Sequence, residues 1–92
     1  MQRLDPETLG LMALAWLAAD AAQLQRFLDV SGLDPADLRT RASEPEMLAA
    51  VMDYLLSVDA LLAQFCADQG LKPEDVHRAR AKLPGGTHET SV

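Results

Sequence analysis

The sequence predicts an all-α protein: a single compact bundle of five to six short helices, formed by tandem duplication of a roughly 38-residue three-helix unit about a pseudo-two-fold axis. Three observations predict it. Alanine and leucine dominate, while the chain has only five valines and no isoleucine, a balance that favours helices over strands. Apolar residues recur at helical spacing along most of the chain. Finally, a shift of about 38 positions places Leu17, Ala22, Leu24, Phe27, Gly32, Leu33, Pro35 and Asp37 on Leu55, Ala60, Leu62, Phe65, Gly70, Leu71, Pro73 and Asp75. Leu14 falls on Met52, Trp16 on Tyr54 and Leu38 on Val76, and no gap is needed.

The expected domain covers 1–86, with unit one over about 5–42, unit two over about 43–83 and a disordered tail at 87–92. Asp5-Pro6 opens the first helix, and Leu9, Met12, Ala13, Trp16 and Leu17 form its core stripe. A second stripe, Leu11, Leu14 and Ala18, makes this helix apolar nearly all round. Two readings follow: a central helix buried on both sides, or a surplus face that meets a protein partner or a second copy. The second helix carries Leu24, Phe27 and Leu28. Gly32 suits the left-handed position that ends it, and Leu33 folds back on Leu28. Pro35 starts a short third helix with Leu38 and Ala42 inward, Asp34 as its N-cap and Asp37 able to reach back to the cap N–H.

In the second unit Ser43-Glu44-Pro45-Glu46 reads as a capping box, followed by Leu48, Val51, Met52 and Leu55. Val58, Leu61, Leu62, Phe65 and Cys66 form the stripe of the next helix, which Gly70 ends and Leu71 locks. Lys72 is a poor N-cap for the last helix, where Val76, Ala79 and Leu83 face inward before Pro84-Gly85-Gly86 stops it. Helices of roughly eight to fourteen residues are marginal alone, so they must share a core. A two-unit stack of the armadillo or HEAT sort is the alternative, disfavoured because two repeats rarely supply enough core without caps.

Function is less legible. The formal charge of −6 repels nucleic acid and anionic lipid on average. One cysteine rules out an internal disulfide, and the longest uncharged stretch, 8–19, is too short to span a bilayer. Asp5 and Glu7 offset Arg3, so the start lacks a signal peptide's basic region. A cytoplasmic protein is the expectation. Cys66 sits on an apolar stripe and reads as a buried hydrophobe rather than a nucleophile. His77 and His88 fit no metal-ligand spacing, so no metal, cofactor or catalytic residue is expected. Acidic residues at helix starts and basic ones at helix ends match the helix dipole.

The first functional expectation is therefore a non-enzymatic interaction or adaptor module, with Leu11, Leu14 and Ala18 as the candidate partner surface. The rival is a DNA-binding regulator. Both helix–glycine–helix corners thread on a helix-turn-helix pattern, and the second offers Lys72, His77, Arg78 and Lys82. Glu74 and Asp75 interrupt that basic set. Two copies of F-x4-G-L-x-P-x-D-[LV], the segment Ala13-Leu14-Ala15-Trp16-Leu17-Ala18, the run Arg26-Phe27-Leu28 and the ending Arg80-Ala81-Lys82-Leu83-Pro84-Gly85-Gly86 occur together in this chain. With them, from about Leu4 to Gly86, the chain resembles the short bacterial proteins grouped as Domain of Unknown Function 3572. That resemblance implies a compact helical protein of the bacterial cytosol and brings no activity, ligand or functional residue with it.

Overall fold

The computed structural model describes residues 5–84, and the expected tail at 87–92 with its His88 lies outside them. Among the described residues the chain forms six helices and no strand: α1 (Pro6–Ala18), α2 (Ala21–Ser31), α3 (Pro35–Arg41), α4 (Pro45–Ser57), α5 (Asp59–Gln69) and α6 (Pro73–Ala81). Proline stands at the first turn of α1, α3, α4 and α6, where its missing N–H is not needed. Gly32 and Gly70 end α2 and α5 at φ of 77° and 70°, the left-handed conformation a side chain would strain. Behind them Leu33 and Leu71 pack partly buried on the core. The Leu71 N–H also bonds the Cys66 carbonyl at 2.9 Å, whereas the Leu33 N–H turns to the Ser31 hydroxyl at 3.4 Å.

The two short connectors solve one capping problem in opposite ways. Before α3, the Asp34 carboxylate accepts the Asp37 N–H at 3.0 Å. Before α6, where Lys72 has no carboxylate to offer, Asp75 reaches back and accepts the Lys72 N–H at 3.0 Å. Asp20 caps α2, accepting the N–H groups of Ala22 and Gln23. The capping box expected at Ser43 does not form: Glu44 is the N-cap of α4, with no side-chain hydrogen bond to the helix. Its carboxylate instead accepts from Arg41 at 2.9 Å, which also holds the Arg41 guanidinium in its charged form.

At the centre α1 crosses α4, with α2, α5 and α6 packed around this pair. Gly10 makes the crossing close, because a Cβ there would lie 2.8 Å from the Leu48 Cβ. Leu9, Leu17, Phe27, Leu48, Met52, Leu55, Phe65 and Val76 are sealed from solvent in one continuous core. Two ring pairs cross it: Trp16 of α1 on Phe65 of α5, and Tyr54 of α4 on Phe27 of α2, each edge to face at 5.5 Å. At the 38-residue offset these are the same two positions with their partners exchanged. The third helices differ. α6 packs along both α1 and α4, while α3 is tied to α4 by three residues, runs closely along no other helix and sends in Leu38 as its one buried residue.

No single described helix is long and apolar enough to cross a membrane, and the α4–α5 pair that would be long enough together is bent by 110°.

Candidate functional site

The first helix is not buried on both sides. Leu9, Gly10, Ala13, Leu14 and Leu17 face the core, which corrects the assignment of Leu14 to a surface stripe: it is buried, with only 9% exposure. Leu11 and Ala18 do face solvent, Leu11 with 44% of its surface. They share that face with Thr8 and Ala15, following i, i+3, i+7, i+10 spacing. From Thr8 to Ala19 the exposed positions carry no charge, and the exposed Asp20 ends this stretch. Ala15 belongs to this surface and was missed by the sequence reading, because an alanine in an apolar helix gives no sign of which side it faces.

Lys72, His77, Arg78 and Lys82 are all exposed at or on α6. Arg78 is engaged with Asp75 at 3.2 Å, and Glu74 shares the exposed side of the helix. α6 itself is held by Arg80, whose Nε and Nη2 grip both carboxylate oxygens of Asp53 at 2.6 and 2.9 Å. The same guanidinium donates to the carbonyls of Leu83 and Pro84. Cys66 is buried, and burial, reinforced by the nearby Asp75 carboxylate, pushes its thiol above the ordinary range. A protonated thiol without access to solvent is a poor nucleophile. Among the described residues no group of three or more His, Cys, Asp or Glu converges as metal ligands do.

A groove of about 350 Å³ opens between α2 and α5, lined by Gln23, Arg26, Tyr54, Val58, Ala60, Leu61 and Gln64. These helices do not pack closely on each other, so Tyr54 of α4 forms the floor between them. The Phe27 ring fixes the Tyr54 ring edge-on. Val58, expected on the buried stripe of α5, is instead the turn between α4 and α5 and is 36% exposed at the groove. Its extended backbone (φ −125°, ψ 98°) makes the 110° bend, which lifts its side chain off the stripe. Arg26 is exposed and makes no hydrogen bond or ion pair among the described residues; Asp29, one turn on, is taken by Gln25 at 3.0 Å. The Gln23 Oε1 is buried without a hydrogen-bond partner.

No curated protein and no solved structure matches the chain. A family model described as "Protein of unknown function (DUF3572)" matches residues 3–86, nearly the whole chain, and the protein belongs to that family.

Proposed function

We propose that this protein is a non-enzymatic helical interaction module of the bacterial cytoplasm, and that the outward face of α1 is where it meets a protein partner. The observation that carries this reading is the uncharged exposed face Leu11–Ala15–Ala18, with Thr8 at its edge. A leucine left nearly half exposed forgoes about 1 kcal/mol of burial that a partner would restore. Small residues on either side of it let a second helix approach closely, as interhelical contacts require. Aggregation is restrained by the net charge of −6.

We also infer that the chain is a doubled three-helix unit about a pseudo-two-fold axis. The gapless offset, the paired left-handed glycines and the exchanged ring contacts support it. In this reading α1 and α4 are the paired central helices, and α3 is the member displaced by its short link to α4.

The test is affinity purification from the source organism with the wild type, Ala15→Arg and, as a control on α3, Thr40→Arg. Both variants place a charge at an exposed position, so both fold. Specific co-purifying proteins lost with Ala15→Arg and kept with Thr40→Arg are the expected result. The same set recovered from all three overturns the proposal.

A further inference from the structure

We propose that the groove between α2 and α5 is a binding site for a small organic monocarboxylate with an aromatic or branched apolar body. It uses none of the α1 residues and goes beyond the interaction role.

The groove joins positions that correspond at the 38-residue offset: Gln23 with Leu61, and Arg26 with Gln64. The two walls are equivalent in place and different in chemistry. The α2 wall brings a guanidinium and an amide, while the α5 side brings Val58, Ala60 and Leu61 with a single amide, Gln64. A ligand that suits both has one polar end and one apolar end. The floor adds a further polar group. Trp16 satisfies its Nε1–H on Asp68 at 2.8 Å, but the residue matching Asp68 is Val30. The Tyr54 hydroxyl, at the place of Trp16, consequently finds no acceptor among the described residues, nor does the Gln23 side-chain N–H, whose Oε1 is the buried end of that amide. The Tyr54 hydroxyl and the Gln23 amide thus stand at the groove beside the one cation carried by α2, α4 and α5.

Arg26 favours an anion, and the charge decides which. A planar guanidinium matches a carboxylate in two parallel hydrogen bonds. A phosphate dianion would need more than one cation, and among the described residues no second Lys or Arg lines the groove, in a chain of net charge −6. Its volume, about 350 Å³, is at the small end of ligand sites and too small for a partner helix. A ligand of about a dozen non-hydrogen atoms with one exposed ion pair should bind at about 1 mM.

Phenylacetate is the probe, titrated into the full chain and followed by amide chemical shifts. Saturable shifts at Gln23, Arg26, Ala60, Leu61 and Gln64 are expected. Binding should fall at least about tenfold with phenylacetamide, which keeps the shape and removes the charge, and by a similar factor in Arg26→Gln. Arg26 is exposed and makes no hydrogen bond or ion pair among the described residues, so the variant's spectrum should otherwise overlay the wild type's. Tyr54→Phe should weaken binding a few-fold, and Arg39→Gln on α3 should leave it unchanged. The proposal is overturned by the absence of saturable shifts in the groove, by equal binding of phenylacetamide, or by Arg39→Gln weakening binding as much as Arg26→Gln does.

Discussion

The indole of Trp16 meets the ring of Phe65 edge-on, with centroids 5.5 Å apart and planes inclined by 69°. The matching pair, Tyr54 on Phe27, has the same separation and an inclination of 61°. Both phenylalanines are sealed from solvent. Phe65→Leu and Phe27→Leu are therefore expected to lose comparable stability, about 1–3 kcal/mol each, from lost volume and lost ring contact. Urea unfolding of the two variants measures this. A large loss at one position with none at the other would contradict the equivalence proposed for them.

Gly10 sets the distance between the two central helices. Alanine at an exposed helical position would gain up to about 1 kcal/mol in helix propensity. Here its Cβ would sit 2.8 Å from the Cβ of Leu48, an atom fixed to the α4 backbone that cannot swing aside. The overpacking penalty should win, leaving Gly10→Ala less stable by about 1–2 kcal/mol. Combining it with Leu48→Ala should show no rescue, because the clash is with a Cβ that alanine retains. Thermal unfolding of the single and double variants checks both points.

Arg80 ties the end of α6 to α4 through a two-pronged contact in which its own side chain is only 14% exposed. Arg80→Ala should cost about 2 kcal/mol, since charge-assisted paired bonds and two carbonyl contacts are lost together. Arg80→Lys should recover less than half, because an ammonium cannot reproduce the planar fork. Amide exchange should localise the loss to α6 before the rest of the bundle opens. Uniform loosening of all six helices would contradict it.

The raised Cys66 thiol gives a pH dependence with a definite sign. In the unfolded chain the thiol ionises at about 8.5, and in the folded chain it holds its proton to higher pH. The contribution to stability is thus fully present below about pH 8.5 and is lost as pH rises from there through the folded value. Wild type should lose stability faster than Cys66→Ala between about pH 8 and 10. A thiol reagent at pH 8 should react far more slowly with folded than with unfolded protein. Equal rates would show that the thiol is open to solvent.

Much of the helix pattern was readable because each start and stop has a local cause. Proline at 6, 35, 45 and 73, and glycine at 32 and 70, act within a few residues of chain. Apolar spacing likewise found most of the core. What failed to show depends on tertiary placement. Leu14 and Leu11 are three residues apart in one apolar helix, and only the packing of the other helices around α1 decides that Leu14 is inside. Val58 looked like core because its turn could not be seen, and Asp20 was not identified as a cap. Ser43 lost its role to Glu44, one residue on, where the Arg41 side chain competes for the carboxylate. The groove was wholly hidden. It arises from two helices that are held apart, and no local pattern encodes a gap.

The most direct test of the interaction role is site-specific photo-crosslinking in the source organism. A photoreactive phenylalanine analogue is placed at position 15, on the outward face of α1, and separately at position 40, on α3. A discrete adduct with a specific protein at position 15, absent at position 40, is the result this account predicts. No adduct at position 15, or the same adducts from both positions, would contradict it.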